Sequence, residues 1–172
     1  DSLDRKLTLG RDRLGEKPLY YGWQGDTFLF SSELKALRLH PSFKGYINRN
    51  SISLFLKHRF IPAPHSIYIG IKKLLPGHLL SIDLVDFSST YYKYWSVNEA
   101  IIKGKSKPFV GTSTEAVDAL DRILKESVKR QMSADVPLGV FLSGGVDSST
   151  IAALMQNQSD VPVKTFSLGF NE

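Results

Sequence analysis

The chain has 172 residues, 42% hydrophobic and 11% aromatic, enough apolar material for one compact domain or two small or partial ones, which excludes a chain disordered throughout. With 23% charged residues, 13 Gly, 8 Pro and no Cys, the composition excludes collagen-like and low-complexity chains, disulfides, thiolate metal sites and a cysteine nucleophile within these residues. The net charge of +5 divides into +8 over residues 1–111 and −3 over residues 112–172, so the two parts read as different bodies.

No run of 18 apolar residues occurs, and DSLDRKLTLG lacks the apolar centre of a signal peptide, so a soluble, cytoplasmic protein is expected. The sequence opens on Asp1 and closes on Asn171-Glu172 directly after an apolar run, and reads as an excerpt of a longer chain.

In chain order, TLG, PLYYGW and TFLFSS predict short strands separated by the turns GRDRLGEKP and QGD. Ser31 or Ser32 then caps a short helix carrying Leu34, Ala36 and Leu37, which His40-Pro41 ends. A second helix is expected from Asn50 or Ser51, with Ile52, Leu54, Phe55 and Leu56 crowding one side, before Pro62 and Pro64 impose an extended loop. IYIGIKKLL and HLLSIDL around Pro76-Gly77 predict a hairpin, because Pro presets the first turn position and Gly tolerates a positive φ at the next. Tyr91, Tyr92, Tyr94 and Trp95 close this part as an aromatic anchor, and Lys-, Gly- and Ser-rich residues 96–113 read as a linker.

Thr112 and Glu115 stand at capping-box spacing, and Val117, Leu120, Ile123, Leu124 and Val128 share a face of a helix running to about Met132. Val136 to Leu142 is a short apolar run of the kind buried in parallel sheets, Ser148 to Asn157 has helical spacing, and Val163 to Leu168 supplies another strand. Helix, strand, Gly loop, helix and strand together predict the beginning of a wound α/β sheet behind an α+β first part.

The segment Ser143-Gly144-Gly145-Val146-Asp147-Ser148-Ser149 lies between the buried strand and the helix start. Paired glycines let backbone N–H groups approach a phosphate, the helix start adds unpaired donors, and three hydroxyls add more. Asp147 would repel a polyphosphate unless Mg2+ bridges the two. The loop is not a Walker A motif, because no Gly-Lys-Ser/Thr follows it. The plain alternative is a tight turn with Asp147 or Ser148 as the helix N-cap.

SGGVDSS resembles the PP-loop of ATP pyrophosphatases, which cleave ATP between its α and β phosphates. RDRLGEKPLYYG (residues 11–22), SSELKAL (31–37), PGHLL (76–80) and DVPLGVFLSGGVDSS (135–149) occur together and in order, and the whole resembles the glutamine-hydrolysing asparagine synthetase family. The resemblance implies a partial type 2 glutamine amidotransferase domain of Ntn-hydrolase fold over residues 1–95, a linker over 96–113, and a partial PP-loop, adenine nucleotide alpha hydrolase-like domain over 114–172. It implies that Ser143, Gly144, Gly145, Val146, Asp147, Ser148 and Ser149 hold the pyrophosphate part of Mg-ATP, Asp147 serving Mg2+, and that Leu142 and Leu168 hold the adenosine. Both leucines also suit a plain core.

The implied substrates are aspartate, ATP and glutamine or the ammonia derived from it, with neither nucleic acid nor membrane as partner and a homodimer compatible with the family. The family's glutaminase nucleophile is an N-terminal cysteine, which these residues lack, so no catalytic residue is assigned and the chain alone is expected to be inactive. A PP-loop amidotransferase acting on another acid, such as a β-lactam synthetase or a polysaccharide- or antibiotic-amidating enzyme, a tRNA-modifying relative and a non-catalytic remnant are the alternatives. Arg11, Asp12 and Arg13 are expected to form an ion-paired structural turn. His40, His58, His65 and His78 show no spacing suited to a metal.

Overall fold

The computed structural model describes residues 1 and 3–169, and the chain separates into two compact units, one from Asp1 to Lys107 and one from Pro108 onward. The closing Asn171-Glu172 and the last three residues of the second expected domain lie outside the described residues.

The first unit holds two three-stranded antiparallel sheets. One has the order β1 (Lys6–Gly10), β5 (His78–Asp83), β6 (Ser89–Lys93), and the other β3 (Thr27–Ser31), β2 (Tyr20–Gln24), β4 (Ile71–Lys73). Alternation along β5 turns Leu80 and Ile82 inward to join Leu9, Tyr21 and Leu74 in one core, while Leu29 and Ile71 meet Leu37 in a second. Leu37 belongs to α1 (Leu34–Arg38), and α2 (Arg49–His58) precedes β4. The Tyr21 phenol lies 3.1 Å from that of Tyr91; burial, then this hydrogen bond, pushes Tyr21 above its ordinary titration range.

Several expectations for this unit are corrected. Pro76-Gly77 is not a hairpin turn: β4 and β5 pair in different sheets, β4 with β2 and β5 with β1 and β6. The corner is fixed because the Gly77 N–H donates to the Asp12 carbonyl while the Gly77 carbonyl accepts from Tyr94 and Trp95. Neither Ser31 nor Ser32 is the α1 cap. Glu33 occupies that position and its N–H donates to Ser31 Oγ, so the serine closes the turn before the helix. Asn48 caps α2, its side chain accepting from the Asn50 N–H at 3.1 Å, so the helix begins at Arg49, one residue before the earliest expected start.

The expected linker contains α3 (Val97–Ser106), capped by Ser96, whose hydroxyl accepts from the Glu99 N–H. Every α3 residue is exposed, so the helix rests on its cap and local bonds and buries no side chain that periodicity would reveal. The aromatic end of this unit includes the strand β6, and the Tyr94 hydroxyl donates to the Arg11 carbonyl at 2.6 Å.

The second unit follows the expected order α4 (Ser113–Gln131), β7 (Gly139–Phe141), α5 (Val146–Gln156), β8 (Lys164–Phe166). β7 and β8 pair in parallel, with Gly139 opposite Lys164 and Phe141 opposite Phe166. The capping box is complete: Thr112 Oγ1 accepts from the Glu115 N–H, and the Glu115 carboxylate accepts from the Thr112 N–H at 2.7 Å. Only the later part of the α4 stripe is covered. Val128 joins Leu154 and Met155 in the core with Leu124 at its margin, whereas Val117, Leu120 and Ile123 are exposed.

Candidate functional site

β7 ends at Phe141, and Leu142 extends it by donating its N–H to the Phe166 carbonyl at 2.8 Å. The chain then turns through Ser143, Gly144 and Gly145 into α5. Gly144 adopts φ +80°, a conformation that suits glycine, whereas Gly145 has an ordinary extended backbone and is the helix N-cap. Neither Asp147 nor Ser148 caps α5, because the helix begins at Val146, before both. Gly145 has no side chain to bond the helix amides, so the capping alternative for those two residues does not hold.

Among the described residues, the N–H groups of Gly144, Gly145, Val146, Asp147 and Ser148 have no acceptor, and the first amide of this stretch to be bonded is that of Ser149, to the Gly145 carbonyl at 3.1 Å. Five consecutive free donors at a helix start, those of the two paired glycines and three in the first helical turn, have the geometry of an anion cradle. An open depression of about 440 Å³ beside it is lined by Gly144, Gly145, Val146, Ser149, Thr150 and Ala153. A Cβ at Gly144 would meet nothing within 4 Å, and one at Gly145 would meet only Ser143 Oγ at 3.5 Å, so both glycines border open space.

The hydroxyls divide in role. Ser148 Oγ accepts from the Ser143 N–H at 3.3 Å, lies 3.0 Å from Ser143 Oγ and donates to the Gly145 carbonyl at 3.2 Å, tying the loop across its mouth. Ser149 lines the depression. The Asp147 carboxylate is exposed in the first turn of α5, and no salt bridge engages it among the described residues. The donor set suits a polyphosphate, and one exposed carboxylate beside it suits a hard cation shared with that phosphate.

Leu142 follows β7 and Leu168 lies two residues beyond β8, so both stand at the carboxyl ends of neighbouring parallel strands, the edge where open α/β sheets take ligands. Leu142 is half-buried, and Leu168 is 88% exposed. One side chain at this edge escapes motif reading: Ser167, whose hydroxyl donates to the Leu142 carbonyl at 2.6 Å. Nothing in TFSLG distinguishes it from any other strand-end serine.

In the first unit, the expected ion-paired cluster is corrected. The Arg11 guanidinium donates to the carbonyls of Lys17, Leu74 and Gly15, and Asp12 accepts from the Glu16 and Lys17 amides, so both side chains fix backbone instead of pairing with each other. No group of three or more His, Cys, Asp or Glu residues suited to a metal occurs among the described residues.

Residues 1–95 match the family described as glutamine amidotransferase domain, and residues 119–172 match that described as asparagine synthase. A putative glutamine-hydrolysing asparagine synthetase 2 of Methanocaldococcus jannaschii is 39% identical over 163 residues, covering 93% of this chain and 30% of the relative. Glutamine-hydrolysing asparagine synthetase 3 of Bacillus subtilis is 32% identical over 171 residues, 96% of this chain and 26% of the relative. The glutamine-hydrolysing asparagine synthetase of Bos taurus is 30% identical over 186 residues, 100% of this chain and 30% of the relative. The chain thus spans less than a third of the length of these relatives.

Proposed function

The chain belongs to the glutamine amidotransferase family, and from that premise we propose that it is the region of an ATP-dependent, glutamine-hydrolysing asparagine synthetase where the amide-donating domain is followed by the nucleotide domain. The observation that carries the nucleotide half is the run of five free backbone donors from Gly144 to Ser148 at the start of α5. In this reading, residues 1–95 are Ntn-hydrolase glutaminase, 96–113 connect, and 114–172 open a PP-loop domain of a cytoplasmic enzyme.

The reaction couples two displacements. The β-carboxylate of aspartate attacks the α-phosphorus of ATP and expels pyrophosphate, and ammonia released from glutamine then displaces AMP from the acyl group to give asparagine. The backbone amides of Gly144 to Ser148 receive the pyrophosphate oxygens, so charge that moves onto the leaving group meets donors already in place. Ser149 extends that contact along the depression, Ser143 and Ser148 hold the loop's shape, and Leu142 and Leu168 flank the adenosine. Asp147 would hold a Mg2+ ion bound with the nucleotide, which would supply neutralisation of phosphate charge. A homodimer of the full-length protein is compatible with this arrangement.

Gly145→Val and Asp147→Ala test it. Gly145 has a backbone that valine can adopt and a Cβ position free of close contacts, so the first variant obstructs the approach of a phosphate without unfolding the loop. Each variant of the full-length protein is expected to lose aspartate-dependent pyrophosphate release by about a hundredfold or more, the scale of one lost charge-stabilising contact in a transition state, while glutamine hydrolysis persists. Retention of pyrophosphate release in both would refute the assignment of the loop.

A further inference from the structure

In a parallel ladder, a residue bonds forward and backward to two residues of its neighbour. Leu142 makes the first of these bonds, its N–H to the Phe166 carbonyl, and a continued ladder would make the second from the Leu168 N–H to the Leu142 carbonyl. That second bond is absent. The Ser167 hydroxyl takes the Leu142 carbonyl instead, at 2.6 Å, and the Leu168 N–H has no acceptor among the described residues. One side chain thus replaces a rung of the sheet at the point where the loop begins.

We propose that Ser167 is a positioning residue for the nucleotide: by capping the Leu142 carbonyl it stops the β7–β8 ladder one rung early and leaves the Leu168 amide and side chain at the mouth of the Ser143–Ser149 loop. The inference rests on the reading of that loop as the nucleotide site. Two physical consequences follow. The Leu142 carbonyl is held in one direction by a short bond at the residue where the strand becomes the loop, which restricts the entry angle of Ser143 and the two glycines. Leu168 is kept off the sheet, consistent with its 88% exposure, so an apolar side chain and a free amide donor stand at the carboxyl end of β8, next to the strand end from which the loop leaves, an arrangement suited to an aromatic base with polar edges.

Removing the hydroxyl frees the Leu142 carbonyl for the Leu168 amide, so the ladder closes by one rung and withdraws Leu168. Threonine keeps the hydroxyl and suits a strand end. The test measures ATP binding and steady-state kinetics in the full-length protein for Ser167→Ala, Ser167→Thr and Gly145→Val. The expected result is a rise of about three- to tenfold in Kd and KM for ATP in Ser167→Ala, the scale of one hydrogen bond. The KM for aspartate and the rate of glutamine hydrolysis stay unchanged, and Ser167→Thr restores ATP binding.

Unchanged ATP binding in Ser167→Ala, with binding abolished in Gly145→Val, would overturn the role of Ser167 and leave the loop's assignment intact. Equal damage in Ser167→Ala and Ser167→Thr, accompanied by loss of glutamine hydrolysis, would overturn it in favour of a packing role. Wild-type ATP binding in Gly145→Val would overturn the reading of the loop and this inference with it.

Discussion

Arg11 and Asp12 show how two adjacent side chains hold a corner made of backbone. The guanidinium fork reaches three carbonyls, at 3.1 Å from Lys17, 2.6 Å from Leu74 and 2.9 Å from Gly15, which a lysine's single ammonium would not span. Asp12 sits under the same turn. Desolvation is the largest influence on its carboxyl and acts upward, but the hydrogen bonds from the backbone of Lys17, Glu16 and Gly15 together outweigh it and hold the group below its ordinary value of 3.8. A carboxyl depressed in the folded state stabilises the fold above its ordinary value and loses that contribution as pH falls through the lower folded value. The protection of the Glu16 and Lys17 amides against exchange is therefore expected to fall below about pH 3.8 in the wild type, and much less so in Asp12→Asn, which keeps an acceptor but does not titrate. Equal acid sensitivity in both would show that another group governs the turn.

Gly77 carries a steric constraint at the same corner. It lies at φ +68°, and a Cβ there would stand 2.3 Å from the Trp95 carbonyl oxygen, a backbone atom. Gly77→Ala is expected to destabilise the first unit by about 2–4 kcal/mol, read from chemical denaturation; an unchanged midpoint would mean that the segment after Lys93 moves freely.

Elements with a periodic face and a local start signal were legible in the sequence. α4 is the clearest, because the Thr112–Glu115 pair states its beginning and the bonds at 2.7 Å and 3.3 Å realise it. Thr112→Ala is expected to cost about 1 kcal/mol and to speed amide exchange in the first turn of α4 while its end at Val128 stays protected. Protection unchanged across the first turn would assign the start of the helix to packing instead. Elements without such signals were not legible. α3 buries no side chain, so its Lys- and Gly-containing sequence reads as linker, and its Ser96 cap alone marks it. Pairing around Pro76-Gly77 was misread because turn chemistry reports that the chain bends and not which sheet each strand joins. Sequence adjacency suggested a hairpin, whereas the bonds from Gly77 to Asp12, Tyr94 and Trp95 divide the strands between two sheets.

At the scale of the molecule, the sign change in charge near residue 111 falls close to the boundary between the units at Lys107 and Pro108, so composition and contact agree on two bodies. The glycine turn from Ser143 to Ser149 between β7 and the start of α5 was legible in the sequence, since paired glycines between an apolar run and a helical pattern mark such a turn. Two features of it were not. Capping by Gly145 in place of Asp147 or Ser148 depends on where the helix begins, which periodicity locates only within a turn, and the Ser167 bond joins residues 25 apart that only the β7–β8 pairing brings together. The glutamine amidotransferase and asparagine synthase matches divide the chain in the same order as the two units.

Pyrophosphate release by the full-length protein, measured with Mg-ATP and glutamine in the presence and absence of aspartate, tests the proposed function most directly. Release that requires aspartate and is matched by asparagine and AMP in equal amounts is the expected result. Release indifferent to aspartate, or none from a folded protein that still hydrolyses glutamine, would contradict it and direct attention to a different acceptor acid.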